Sequence, residues 1–260
     1  MKKVIQAGIA LLLTAGLLIM SLAGCAIPVP GYADYDVSGY IQALLDSSYH
    51  DSHEALMELS KVTEESAKAN NTTTVENAVV IFCNTYDLSP SEEQLAELEK
   101  VMRQAFALTK YMVKDERKTD TGYYLEVEIA SITNFEGREA DIERLKAAAQ
   151  QEAAAANAPK TAVRPDTSDD DDDDSYDDDT GEDDGDEEPV QEVPPEERVN
   201  ANDLFIEKVL NFCKQELANI SYDPEMRTVA LDIRQTDKGE LQLDMNQLDT
   251  IDKTVIRFSK

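Results

Sequence analysis

An α+β fold is what the 260-residue chain predicts, and three features of the sequence predict it. Apolar stripes at helical spacing fill most of residues 36–107 and return at 202–219. Two further stretches, 109–129 and 229–245, alternate apolar and polar side chains around Asp/Gly turn chemistry, as antiparallel hairpins do. Between them, residues 159–199 are dominated by Pro, Asp and Glu and hold almost none of the large side chains that a core needs. An isolated hairpin is marginal in water. The economical arrangement therefore packs N-terminal helices on one face of an antiparallel sheet made of two hairpins, with the acidic stretch as a disordered insertion. Two small domains joined by an acidic linker fit the same periodicities.

In chain order, Lys2 and Lys3 precede an apolar run from Val4 to Met20, which has the composition of a secretory signal peptide over residues 1–24. Residues 25–35, with Pro28, Pro30 and Gly31, suit an extended tether. The N-terminal part of the domain, 36–158, starts where Asp36 serves as an N-cap ahead of Tyr40, Ile41, Leu44, Leu45 and Tyr49. Ser52 is placed to cap a short helix carrying Leu56, Met57 and Leu59, and Thr63 a longer one that runs through Asn70–Thr74 to Phe82. That Asn/Thr run is a weak helix former, yet the apolar face resumes beyond it.

Ser89, Pro90 and Glu92 read as N-cap, N1 and N3 of a capping box, followed by Leu95, Leu98, Met102, Ala105 and Phe106. Tyr111 and Val113, a turn at Thr119–Gly122, and Leu125, Val127 and Ile129 make the first hairpin. Arg138 to Asn157 is an Ala-rich helix with Ile142 and Leu145 as its large apolar residues. In the C-terminal part, 200–260, a helix spans Asn202 to Asn219. Val229, Leu231 and Ile233 then turn at Asp237-Lys238-Gly239 into Leu241, Leu243 and Met245 as a second hairpin.

The formal charge of −30 is mostly local, because Asp166 to Glu197 contains 19 acidic residues and no Lys or Arg. Nucleic acid is excluded as a partner, since phosphate backbones require Lys/Arg counter-charge. Loose association of divalent cations with the tract is expected, but its spacing does not form an EF-hand. Cys83 and Cys213 each lie on an apolar helical face and read as two core thiols, with a disulfide as the alternative in an exported protein.

Catalytic, cofactor and metal sites are each expected to be absent. His50 and His53 flank Asp51 at a spacing that suits a metal, but they fall in a polar break between helices, where exposed histidines need no special role. Asp46, Tyr124 and Asp232 are the carboxylates and phenol that an enzyme would use, although acidic and tyrosyl residues are too frequent for them to stand out. No Ser/His/Asp order, CxxC, phosphate-binding glycine loop or HExxH is present. Strands in hairpins rather than βαβ units argue against a transporter's solute-binding subunit.

The ending Leu22-Ala23-Gly24-Cys25 resembles the lipobox of bacterial lipoproteins. The resemblance implies that Cys25 becomes the first mature residue and carries acyl chains such as palmitate, on the outer face of the cell membrane. Two chains hold a protein firmly in a bilayer where one does not. An uncleaved membrane-spanning segment is the competing reading of the same apolar run. Together with Tyr40–Asp46, the helix 65–86, the Ser89–Glu93 cap and Tyr123–Val127, the lipobox makes the chain similar to uncharacterised lipoproteins of Gram-positive bacteria. Some of these have a cone-shaped domain like nuclear transport factor 2 and ketosteroid isomerase. The likeness rests on core residues and implies no active site. The expected role is non-catalytic binding of a protein or cell-envelope component, with an enzyme or small-ligand binder using a pocket as the alternative.

Overall fold

The computed structural model describes residues 36–158, 198–236 and 241–259. The expected signal peptide, Cys25, the tether, the acidic tract and the turn at Asp237–Gly239 lie outside these residues. Helix α1 (Val37–Tyr49) is capped by the Asp36 carboxylate, which accepts from Gly39 N at 2.7 Å. Its apolar stripe buries Val37, Ile41, Leu45 and Tyr49. Helix α2 (Glu54–Ser60) begins after His53, not Ser52, and no side chain caps it. The His53 ring is held instead by partners described below, so the chain turns into the helix one residue later than a Ser52 cap would require.

Helix α3 (Glu64–Thr85) is capped by Thr63 and runs unbroken through the Asn/Thr stretch. Tertiary contacts offset the weak propensity there: Asn70 Nδ2 donates to Ser48 Oγ at 2.6 Å and Asn71 Nδ2 to Ser48 O at 2.8 Å. Helix α4 (Glu92–Ala107) has its capping box at Ser91 and Gln94, two residues beyond the expected Ser89. The Ser89 carbonyl accepts from Asn202 Nδ2 at 2.9 Å, so it does not open the helical ladder. The later start puts Glu92 and Glu93 in the first turn, against the positive end of the helix dipole.

The first hairpin's leading strand is split into β1 (Lys110–Val113) and β2 (Arg117–Thr119), both paired with β3 (Gly122–Ala130). Helix α5 (Glu139–Ala156) packs along α6 (Ala201–Ala218), burying Ile142, Ala149 and Ala153. Asn157, just past α5, accepts from Val199 N at 2.8 Å and donates to Val199 O at 3.0 Å, so the chain departs and returns at one point.

Strand β4 (Arg227–Gln235) pairs antiparallel with β3, from Gly122 opposite Arg234 to Ile129 opposite Arg227. With β5 (Leu241–Gln242) the sheet has order β1-β3-β4-β5 and five antiparallel strands. Tyr123, Leu125, Val127 and Ile129 share one face with Val229, Leu231 and Ile233 and are buried. Tyr124, Glu126 and Glu128 occupy the other face, partly open to solvent.

The expected return strand 241–245 is only two residues long. At Asp244 the chain enters helix α7 (Met245–Val255), where the Asp244 carboxylate accepts from Asn246 N at 2.9 Å. Leu248, Ile251 and Val255 are spaced for a helical stripe, and Ile251 and Val255 are fully buried against β3 and β4. That burial outweighs the period-two pattern of Leu241, Leu243 and Met245, whose last member is exposed. Beyond α7, Ile132 N donates to Val255 O and Arg257 N to Ile132 O, at 2.9 and 3.0 Å, tying the C-terminal segment to the loop after β3.

Gly122 sits at φ 153°, and a Cβ there would lie 2.0 Å from the Ile233 carbonyl oxygen, a backbone atom of the neighbouring strand. Gly122→Ala should therefore destabilise the domain by more than about 2 kcal/mol, read as a fall in the denaturant midpoint.

Candidate functional site

A cleft of about 640 Å³ opens between α3, α7 and the C-terminal segment. Its walls follow from the amphipathic patterns just described. The face of α3 that turns away from the core's centre supplies Thr74, Asn77, Val80 and Ile81. The segment after α7 supplies Ile256, Arg257 and Phe258, and Phe106 at the end of α4 lines the same space. Helix α7 buries Ile251 and Val255, so Asp249, Asp252 and Lys253 fall on its other faces and reach the cleft.

Asp252 stands out among these groups. Tyr49, the last residue of α1, is buried in a parallel stack on Phe106 with ring centroids 5.2 Å apart and an edge contact to Tyr111 at 5.7 Å. Fixed in this way, its hydroxyl donates to Asp252 Oδ1 at 2.5 Å. Burial pushes the Asp252 carboxyl up to about 6, against the opposing pull of the Tyr49 hydrogen bond, with Asp249 adding to the rise and Lys253 opposing it. Burial, then the facing Asp252 charge, pushes the Tyr49 phenol well above its ordinary value.

The other charged groups of the cleft are matched. Lys253 pairs with Asp249 at 2.5 Å, Arg257 with Asp223 at 2.9 Å and with Glu136, and Arg227 with Asp223 at 3.4 Å. Among the described residues no cation forms an ion pair with Asp252, whose hydrogen-bond partner there is the Tyr49 hydroxyl.

A second polar cluster lies at the end of α1. Tyr111 Oη donates to Asp46 Oδ1 at 2.5 Å, His50 Nδ1 approaches the same oxygen at 3.4 Å, and the His50 and Tyr111 rings stack at 5.3 Å. Burial and the Asp46 bond both push the Tyr111 phenol upward. Nearby, His53 bridges Ser47 Oγ, 2.9 Å from Nδ1, and Asp51 Oδ1, 3.0 Å from Nε2. The residue types match a nucleophilic triad, but Ser47, on the inner face of α1, is fully buried and donates to the Ala67 carbonyl at 3.4 Å, leaving no path for a substrate. The chain Ser47–His53–Asp51 is a latch between α1 and the start of α2.

The residues picked out from sequence fall in separate places. His53 is buried rather than exposed, and it and His50 use different partners, so no common ligand position exists between them. Among the described residues no group of three or more His, Cys, Asp or Glu is arranged to hold a metal. Asp46 belongs to the α1 cluster, whereas Tyr124 and Asp232 are cross-strand neighbours on the sheet's outer face. There Tyr124 donates to Glu126 at 2.6 Å under the Arg117 guanidinium. Cys83 and Cys213 are free, buried thiols, each pushed up to about 12 by burial.

The Tyr49–Asp252 pair was hidden in the sequence because Asp252 lies on the helix that the second-hairpin reading did not anticipate. The spacing Asp244, Leu248, Ile251, Val255 was the signal that would have placed it.

Asp252 holds its proton more tightly in the fold than in the unfolded chain, where the usual value is about 3.9. Its contribution is fully present below about pH 4 and is lost as pH rises through about 6. Asp252→Asn keeps an acceptor for Tyr49 and removes the charge. It should raise stability by about 1–2 kcal/mol at pH 7.5 and by nothing at pH 4, as read by thermal melts across that range. Ser47→Ala strands the His53 Nδ1 position and should lower stability by about 1–2 kcal/mol at pH 7.5, measured by denaturant unfolding.

Neither a family model nor a curated protein sequence matches the chain. Among solved structures, the chain is similar to the crystal structure of a "putative lipoprotein (ycdA)" from Bacillus subtilis, with a TM-score of 0.51 and 9% sequence identity over 85% of this chain. The matched region spans 56% of that protein, just over half its length. At this identity the likeness is one of fold, and it carries no information on a resemblance to nuclear transport factor 2. Among the described residues no helix is long and apolar enough to cross a membrane.

Proposed function

We propose that the chain is a lipoprotein held by Cys25 on the extracytoplasmic face of the cell membrane, where its α+β domain binds a protein or cell-envelope component without transforming it. The observation that carries this reading is the Leu22-Ala23-Gly24-Cys25 ending after a charged and then apolar leader. The similarity in fold to the "putative lipoprotein (ycdA)" of Bacillus subtilis supports it. So does the burial of Ser47 and His53 in the triad-like set.

A second reading is supported by the cleft: a few hundred Å³ of space with apolar walls and one unmatched carboxylate suits a small ligand. Protein–protein docking and small-ligand capture then differ in which surface matters. The first uses the outer faces of helices and sheet, and the second uses the space between α3 and α7.

Cells expressing the chain and fed a labelled fatty acid should incorporate the label and carry the protein in the membrane fraction. Cys25→Ser should abolish labelling and release the domain. Unchanged labelling in that variant would overturn the lipid attachment.

A further inference from the structure

We propose that the cleft between α3 and α7 is a binding site for an organic cation, an ammonium group carried on an apolar body, with Asp252 as its counter-ion. This deepens the small-ligand reading and rests on it. Three observations on the cleft lead there.

The first is charge matching. Lys253, Arg227 and Arg257, the described cations that line the cleft, each already have a carboxylate within 3.4 Å. Among the described residues, Asp252 has the Tyr49 hydroxyl as its hydrogen-bond partner, a neutral donor to one of its two oxygens. A carboxylate so placed is destabilised by its surroundings until a cation arrives, and the site gains what its own residues do not provide.

The second is wall chemistry. Val80, Ile81, Ile256, Phe106 and Phe258 line the same cleft as the carboxylate and give it apolar and aromatic walls. A hydrated inorganic ion has no use for such walls, whereas the alkyl or aryl body of an organic ammonium does. Size agrees, because about 640 Å³ accommodates a ligand of small-molecule dimensions.

The third is rigidity. Tyr49 is clamped between Phe106 and Tyr111, so the Asp252 carboxyl is oriented before any ligand enters. A chain of formal charge −30 also draws cations toward itself and repels anions.

Protonation should gate the site. The charged or titratable groups that face Asp252 are Tyr49 from α1, Asp249 and Lys253 from α7, Arg227 from β4 and Arg257 from the C-terminal segment. α3 contributes only neutral Thr74 and Asn77 among polar side chains. Of these, the Asp252 carboxyl, pushed up to about 6, is the one that changes charge in the mildly acidic range. An ammonium ligand needs the carboxylate form, so affinity should rise with pH through that value.

Benzylammonium, benzyl alcohol and benzoate are probes of nearly one shape and three charges. Titration calorimetry on the full-length chain in a non-ionic detergent, at pH 7.5 and pH 5, should show benzylammonium binding at least tenfold tighter than either other probe. That affinity should fall about tenfold at pH 5. Asp252→Asn, with its fold checked by thermal melts, should remove the preference, while Asp232→Asn on the outer face should leave it unchanged. Benzyl alcohol binding as tightly as benzylammonium, with both displaced by Ala78→Trp, would overturn the cationic ligand and keep the small-ligand reading. No binding of any probe at millimolar concentration would overturn both.

Discussion

The pairing of β3 with β4 is the constraint on which the rest of the molecule depends. The two strands are separated by roughly a hundred residues of chain, yet they pair continuously from Gly122 opposite Arg234 to Ile129 opposite Arg227. Register and burial enforce one another here. Sliding either strand by one residue would turn Leu125, Val127, Leu231 and Ile233 outward and bring Glu126 and Asp232 into the core. Gly122 is the close-contact end of the pairing, where a side chain would strike the partner backbone. Once the strands are joined, the residues of both halves build one apolar cluster that runs from Val37 to Phe258.

The cleft is a by-product of how that cluster is closed. Helix α7 covers β3 and β4 with two buried residues, and the chain beyond it is tied down by Ile132 on one side. Tyr86 does the same on the other, its hydroxyl between the carbonyls of Phe135 and Phe258. The C-terminal segment is thus held beside α3 by those bonds and by the contact of the Phe82 and Phe258 rings, whose centroids are 5.6 Å apart. A core optimised for stability alone would fill the gap and neutralise Asp252. A buried carboxylate at the end of a clamped tyrosine, with no ion-pair partner among the described residues, costs stability in its charged form.

Much of the fold was legible because it depends on periodicity. Asp36, Thr63, Val79–Phe82 and the alternation of Leu125, Val127 and Ile129 each gave the right element in nearly the right place. Where the reading failed, two local signals competed and a distant contact decided. Ser89 and Ser91 both begin a Ser-x-x-Glu/Gln pattern, and Asn202 engages the first. Leu243 and Met245 extend a strand pattern while Leu248, Ile251 and Val255 begin a helical one, and burial against the sheet selects the helix. The candidate site fared worse for the same reason. Tyr49 and Asp252 are some two hundred residues apart, and neither carries a local signature. His53, taken for a surface residue from its polar neighbours, is buried because Ser47 and Asp51 satisfy both ring nitrogens.

Asn157 holds Val199 by both backbone groups, at 2.8 and 3.0 Å, where α5 ends and the approach to α6 begins. The domain therefore presents a closed gate at that point, and what is strung between the gateposts is free to differ in length and composition without a change in the helices behind them. For an engineer this is a grafting position. A reporter or affinity module whose two ends lie close together would be carried there with the α5–α6 packing as its foundation.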